Sequence, residues 1–196
     1  VVAPMIESAF ALSKFIKATK LAFPDDERKD IKFAVNIETK AGYKNFNEML
    51  LIPEINLIDG IVLGRVDLTG SLGMSRDDIN TDTIFEIAKD VFSKSNAKGL
   101  ENAIGGGVSA ESLPFFQALP TGHLNRFETR KVIFNFPDAM NSDPEKGILK
   151  AVGFELLWLR NKRDYYNAIS IEDETRLNML EKRYRTLIEK AGGQVE

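Results

Sequence analysis

Two carboxylates stand where short apolar runs end, and their spacing indicates a metal site. One apolar run leads into a glycine-rich turn that contains Asp67, and another run closes at Glu38. The first residues of the chain repeat this form and end at Glu7, so that the three acids follow one another at intervals of 31 and 29 residues. Each interval has the length of one βαβ unit, which predicts parallel strands with an acid at each carboxyl end.

Parallel strands would bring these acids to one place. In an α/β barrel the carboxyl ends of all strands lie at one face, and neighbouring strands are about 5 Å apart. Glu38 and Asp67 would then reach one cation, and carboxylate oxygens suit Mg²⁺ or Mn²⁺. The alternative is that both acids cap helices or pair with surface lysines. Glu7 would lie beside the site or would stabilise the start of a helix.

The composition is that of a folded protein with an ordinary charge balance. The chain has 196 residues, of which 43% are hydrophobic, enough for one domain or one domain plus an extension. The net charge is -3 and no basic block occurs, so we expect no nucleic-acid partner. The lack of cysteine excludes disulfides and thiolate catalysis. No apolar run approaches the roughly 20 residues of a membrane span and no signal-peptide pattern occurs, so we expect a cytoplasmic protein.

Five strands can be counted along the chain. After the three that end in acids, the fourth covers residues 101–104 and leads to a glycine-rich turn at Gly106, and the fifth covers residues 126–134. Before the fourth strand, apolar residues at helical spacing predict a long helix; these are Ile84, Ile87, Ala88, Val91 and Phe92. The same periodicity predicts two helices near the end, the second opening at residues 170–173.

Two motifs resemble a known family. Residues 36–39 (Asn-Ile-Glu-Thr), followed by residues 64–73 (Gly-Arg-Val-Asp-Leu-Thr-Gly-Ser-Leu-Gly), resemble the HpcH/HpaI aldolase and citrate lyase β-subunit family. That family belongs to the phosphoenolpyruvate/pyruvate superfamily of TIM barrels. Residues 3–8 (Ala-Pro-Met-Ile-Glu-Ser) look like its fourth strand, and the resemblance runs to about Ser112.

The resemblance implies a TIM (β/α)8 barrel of which only about five βα units are present, with a helical C-terminal extension. A closed barrel has eight strands in typically about 250 residues. We therefore predict a partial barrel over residues 1–140 and C-terminal helices over residues 141–196 that serve in packing or oligomerisation. Five strands would leave two apolar edges open. We expect either residues before Val1 or another chain to supply the three missing units.

The resemblance also implies an activity. It is that of a divalent-metal-dependent carbon–carbon lyase or aldolase, which acts through a pyruvate-type enolate of a 2-oxo acid. In the family the matching acids hold Mg²⁺ or Mn²⁺, which assigns Glu38 and Asp67 as ligands. The backbone amides of Val66 and Asp67 would face the substrate carboxylate. Relatives carry an arginine, and often an acid or a histidine for proton transfer, on the first three strands, so the proton-transfer residues stay unassigned.

Several residues have both a binding and a structural interpretation. Arg65 stands where many relatives have a small residue or proline, so it either reaches an acidic substrate group or points outward. Gly106 either presents amides to a substrate anion or makes a tight turn. Arg130 either faces the substrate or pairs with Glu128. His123 is the only histidine, and we expect it in a surface turn rather than in a catalytic position.

Two other functions stay open. The first is an acyl-CoA or phosphoenolpyruvate-type lyase of the same superfamily, in which the glycine-rich turn would hold phosphate. The second is a non-catalytic barrel fragment or subunit whose C-terminal helices make contacts. In either enzyme the partner is a small molecule, a 2-oxo acid or an acyl-CoA, and we expect a homo-oligomer.

Overall fold

A six-stranded sheet forms the centre of the structure, a computed structural model that describes residues 1–194. The strands lie side by side in the order of the sequence. The first five are parallel to their neighbours, and the last is antiparallel to the fifth. The strands are β1 (Val2–Ala3), β2 (Ala34–Ile37), β3 (Gly60–Gly64), β4 (Glu101–Gly105), β5 (Arg126–Glu128) and β6 (Ile133–Asn135).

Helices connect the parallel strands, and the predicted long helix is confirmed. The helix α6 buries the predicted apolar stripe from Ile84 to Phe92 against β3 and β4. The helices are α1 (Ala9–Ala22), α2 (Asp25–Arg28), α3 (Lys40–Lys44), α4 (Phe46–Met49), α5 (Arg65–Ser71), α6 (Asp82–Asn96), α7 (Leu113–Ala118) and α8 (Pro144–Lys190).

The two faces of the sheet differ in the size of their side chains. Successive residues of a strand point to opposite faces. The face that packs in the main core carries large apolar side chains, namely Val35, Ile37, Ile61, Leu63, Ile104 and Phe127. On the other face only Ala34, Val62 and Ala103 form a small apolar cluster. The polar side chains of β2 and β5 lie on this second face, since Asn36 alternates with Val35 and Ile37 and since Arg126 and Glu128 alternate with Phe127.

The predicted fifth strand, residues 126–134, is wrong as a single element. It is an antiparallel hairpin of β5 and β6. The N–H of Thr129 donates to the carbonyl of Val132 at 2.9 Å, and the N–H of Val132 donates to Oγ1 of Thr129 at 3.2 Å. The turn contains neither glycine nor proline, so the sequence carries no strong signal for it. Because β6 pairs with β5, the edge of β5 that was expected to be open is covered.

The predicted pair of C-terminal helices is also wrong, because α8 is one continuous helix of 47 residues. Residues 170–173, which resemble the start of a helix, lie inside it. The stretch from Phe154 to Lys190 contains neither glycine nor proline, the two residues that most strongly end helices. An internal serine and two acids do not interrupt the helix.

The chain divides into two compact units, one of residues Val1–Val152 and one that starts at Gly153. The first unit holds the sheet and its apolar core. The second unit consists, in its described part, mainly of the rest of α8, whose large apolar side chains are mostly exposed. The domain boundary expected between residues 140 and 141 stays a prediction. In the part of the chain that the structure describes, no helix combines the length and the apolar character needed to cross a membrane.

Candidate functional site

Glu38 lies directly after β2, and its side chain is held in one orientation. The residue is only 5% exposed. Its Oε1 accepts a hydrogen bond from the backbone N–H of Met5 at 2.8 Å, and its Oε2 accepts one from the side-chain amide of Asn36 at 3.1 Å. Met5 has a φ of 53°, a left-handed conformation that is uncommon outside glycine. The turn after β1 therefore adopts a costly conformation at the residue that donates to Glu38.

The carboxylate of Glu38 lies over Gly64, the last residue of β3. A Cβ at Gly64 would come within 2.6 Å of Oε2 of Glu38, so no larger residue fits. Gly64 pairs with Gly105, the last residue of β4. The side chain of Glu128 lies over Gly105, since a Cβ there would be 3.4 Å from Oε1 of Glu128. We call Gly64 and Gly105 the two-glycine floor; each of its glycines lies under the side chain of a glutamate.

Asp67 follows β3 and lies in the first turn of α5, where its side chain is exposed. Because β2 and β3 are parallel neighbours, Asp67 and Glu38 lie at the same edge of the sheet. The first N–H groups of a helix have no partner within the helix. The amides of Val66 and Asp67 belong to this first turn. The arrangement agrees with the expectation that both acids and both amides lie at one edge.

Arg65 is fully buried, so the interpretation that it points outward is wrong. Its Nε donates to the carbonyl of Gly105 at 3.2 Å, and its Nη2 donates to the carbonyl of Gly106 at 3.1 Å. Its Nη1 donates to Oδ1 of Asn80 at 2.6 Å, and Nη2 also donates to Oγ of Ser112 at 3.2 Å. Burial lowers the pKa of this guanidinium to about 10, so it remains protonated at neutral pH.

Gly106 packs against the start of α5. Its φ is +81°, which favours glycine. A Cβ at this position would lie 2.7 Å from the backbone nitrogen of Val66 and 2.9 Å from that of Arg65. The structure thus brings Gly106 and Val66 into contact, and it shows the tight-turn role of Gly106 directly.

The remaining candidate residues, Arg130, Glu7 and His123, do not all lie at the same edge of the sheet. Arg130 is exposed in the turn that follows β5, and Glu7 is exposed after β1, so both lie at the edge of the acids. His123 precedes β5 and therefore lies at the opposite edge. A shared role of His123 with Glu38 is incompatible with this placement.

The oxygen atoms at the edge fit a hard divalent cation that keeps open positions. Glu38 and Asp67 supply carboxylates, and Oδ1 of Asn36 is buried without a hydrogen-bond partner in the described structure. Mg²⁺ is commonly bound by one or two carboxylates and retains several waters. Among residues 1–194 no group of three or more histidine, aspartate and glutamate side chains is placed to hold a metal. Two carboxylates and one amide oxygen are donors that suit a cation which also binds water.

Sequence reasoning missed Asn36 and treated Glu128 only as an ion-pair partner. The charged neighbour of Glu128 is Arg126, whose Nη1 donates to Oε2 of Glu101 at 2.9 Å. Burial raises the pKa of the Glu128 carboxyl above its ordinary value of 4.5, and the attraction of Arg126 opposes this only in part. The signal was the two-residue period of strands, which places Asn36 on the face of Glu38.

These features define a class of protein: an α/β protein whose parallel strands end in acidic side chains beside glycine-rich turns. Residues 1–109 match the family model described as HpcH/HpaI aldolase/citrate lyase. The chain belongs to this family, and the resemblance seen in the sequence is confirmed. No curated protein matches the sequence.

Solved structures share the fold. Citrate synthase SbnG aligns with a TM-score of 0.52 and 18% identity over 83% of this chain and 63% of its own. An HpcH/HpaI aldolase/citrate lyase family protein from Burkholderia cenocepacia J2315 aligns with a TM-score of 0.51 and 18% identity, over 81% of this chain and 64% of its own. At these identities the similarity concerns the fold. The chain spans less than two-thirds of the length of either structure.

Replacement of Arg65 by methionine should destabilise the first unit. The carbonyls of Gly105 and Gly106 and the side chain of Asn80 would lose their donor, and a buried group without its partner costs about 1–3 kcal/mol. Thermal unfolding should show a melting temperature lower by several degrees. Arg76→Met, at an exposed arginine on the surface, is the control and should melt like the wild type. Equal melting of both variants would contradict the assigned role of Arg65.

Replacement of Glu128 by glutamine should stabilise the protein at neutral pH. When the pKa of a carboxyl is higher in the folded chain than in the unfolded chain, the free energy of unfolding falls as pH rises from the lower pKa to the higher one. Glutamine does not ionise, so the variant should gain stability at pH 7 and no stability below about pH 4. Urea unfolding at both pH values measures this. Glu86→Gln, at an exposed glutamate, is the control, and a gain that is equal at both pH values would contradict the argument.

Proposed function

We propose that this chain carries the metal-binding part of a divalent-metal-dependent carbon–carbon lyase or aldolase that acts through the enolate of a 2-oxo acid such as pyruvate. The observation that carries this proposal is the buried, doubly hydrogen-bonded carboxylate of Glu38 at the edge that also holds Asp67. Membership of the HpcH/HpaI family supports a lyase-type enzyme. Glu38 and Asp67 would hold Mg²⁺ or Mn²⁺.

The bound cation would supply the positive charge that polarises a ketone and stabilises the negative charge of an enolate. The residues of the chain would hold the cation and orient its ligands. The hydrogen bonds from Met5 and Asn36 orient Glu38, while each carboxylate oxygen keeps a lone pair for the cation. Asp67 lies in the first turn of α5, directly after the neighbouring strand β3. Its exposed position would leave space for the substrate beside it.

The substrate side of the site is the start of α5. In this proposal the amides of Val66 and Asp67 donate to the carboxylate of the 2-oxo acid. Arg65 contributes by fixing the turn at Gly106 against these amides, since its guanidinium binds the carbonyl of that turn. Arg130 is exposed at the same edge and would bind a second acidic group of a larger substrate.

We also propose that the sheet is part of a (β/α)8 barrel. Five parallel strands in sequence order, with helices packed on one face and the small side chains of Ala34, Val62 and Ala103 on the other, support this arrangement. The exposed apolar side chains of α8 support a role for residues 141–196 in packing or in a homo-oligomer.

Replacement of Glu38 by glutamine should abolish metal binding. Titration of the chain with Mn²⁺, followed by calorimetry or by electron paramagnetic resonance, measures the affinity. Loss of a residue that hydrogen-bonds to a metal ligand typically lowers the affinity for the metal by about 10- to 100-fold. Loss of a ligand itself should lower it further. Glu86→Gln keeps the wild-type affinity and serves as the matched control. Undiminished Mn²⁺ affinity in the Glu38 variant would refute the site.

A second candidate function is an acyl-CoA or phosphoenolpyruvate-type lyase. The turn after β4 favours it, because Gly106 and Gly107 both have positive φ values, +81° and +66°, and consecutive glycines of this kind allow close approach of a phosphate.

Titration with coenzyme A thioesters and with simple 2-oxo acids, each with Mg²⁺ present, separates the two candidates. We expect pyruvate to bind only when Mg²⁺ is present and the thioesters to bind no better than pyruvate. Tighter binding of the thioesters, with or without Mg²⁺, would favour the second candidate. Free coenzyme A is the control for binding through the nucleotide alone.

A further inference from the structure

We infer that Glu128 is a catalytic carboxyl of this site, which moves a proton to and from the carbon next to the substrate ketone. The inference rests on the proposed function, and it assigns the proton-transfer group that the sequence left open. It is carried by the position of Glu128 relative to Glu38 and the two-glycine floor.

The register of the sheet places both glutamates on one face. One row of paired residues runs across the four strands from β2 to β5. It consists of Asn36, Val62, Ala103 and Arg126. Two residues further along, the same face carries Glu38 after β2 and Glu128 at the end of β5. Both side chains therefore lie at the carboxyl edge, on the face that the core helices do not cover.

The two-glycine floor lets these side chains extend toward each other. Glu38 reaches from β2 over Gly64 of β3, and Glu128 reaches from β5 over Gly105 of β4. Because β3 and β4 are adjacent strands, the two carboxyl groups border the same space from opposite sides. A side chain at Gly64 would collide with Glu38, and one at Gly105 would press against Glu128.

The chemistry of Glu128 suits proton transfer. Its side chain is half-buried. The guanidinium of its charged neighbour Arg126 donates a hydrogen bond to Glu101, the first residue of the adjacent strand β4. Burial raises the pKa of Glu128, which makes its carboxylate a stronger base. Glu38 and Asp67 are committed to the cation in the proposed function, and His123 lies at the opposite edge. Of the two glutamates that the register places on this face at the carboxyl edge, Glu128 is thus the one without a role in the proposed function.

The step balances without a further reactant. The carboxylate of Glu128 takes one proton from the methyl carbon of pyruvate and becomes a neutral acid. The electron pair of the broken C–H bond forms the carbon–carbon double bond of the enolate, and the negative charge moves to the ketone oxygen. In the reverse direction the same carboxyl returns a proton to carbon, and the enolate becomes the ketone again.

Exchange of the pyruvate methyl protons in heavy water, followed by proton NMR with Mg²⁺ present, tests this step. Mn²⁺ affinity is measured on the same samples of the full chain. Glu128→Gln should lower the exchange rate by about 10²- to 10⁴-fold, the usual contribution of a general base, with wild-type Mn²⁺ affinity. Glu128→Asp keeps a carboxyl and should retain part of the rate, and Glu86→Gln should retain all of it.

The outcomes separate this inference from the proposed function. An exchange rate in Glu128→Gln equal to that of the wild type overturns the inference and leaves the metal site standing. The inference also fails if the wild type binds Mn²⁺ through Glu38 but exchanges no protons, or if Glu128→Gln loses Mn²⁺ binding. A wild-type chain without Mn²⁺ affinity overturns the proposed function and the inference together.

Discussion

The arrangement of the carboxyl edge depends on one buried guanidinium. Arg65 is the first residue of α5, and it donates to the turn after β4, to the loop before α6 and to Ser112 before α7. Its Cζ atom also lies over the rings of Phe115 and Phe116, at 5.4 and 5.1 Å from their centroids. A charge in such surroundings requires several fixed acceptors. The positions of three connecting segments are therefore linked through a single side chain.

The two faces of the sheet differ in the size and polarity of their side chains. The helix-covered face is filled by large apolar residues of the main core, which pack closely. On the other face the two middle strands β3 and β4 carry small residues. The polar side chains lie on the strands to either side, with Asn36 and Glu38 at β2 and with Arg126 and Glu128 on β5. Glycine at positions 64 and 105 leaves the space that the side chains of Glu38 and Glu128 occupy. Residue size thus separates the apolar core face from the face that carries these polar side chains.

The sequence was sufficient for features that depend on local patterns. The spacing of Glu38 and Asp67 predicted their common edge, because one βαβ unit fixes the direction of the next parallel strand. The burial of Arg65 could not be predicted, since its acceptors and aromatic neighbours lie some 15 to 51 residues further along the chain. The hairpin at residues 129–132 was missed because its turn lacks glycine and proline. The continuity of α8 was missed because a capping-like pattern also occurs inside helices.

The antiparallel strand β6 has a consequence for how this sheet can grow. A (β/α)8 barrel closes when its last parallel strand hydrogen-bonds to its first. Here the outer backbone groups of β5 already bond to β6, while among residues 1–194 β1 pairs with β2 alone. A strand that joined beside β1 would displace no strand of residues 1–194. Closure at β5 would exchange one set of backbone hydrogen bonds for another, so the two margins of the sheet are not equivalent as sites of assembly.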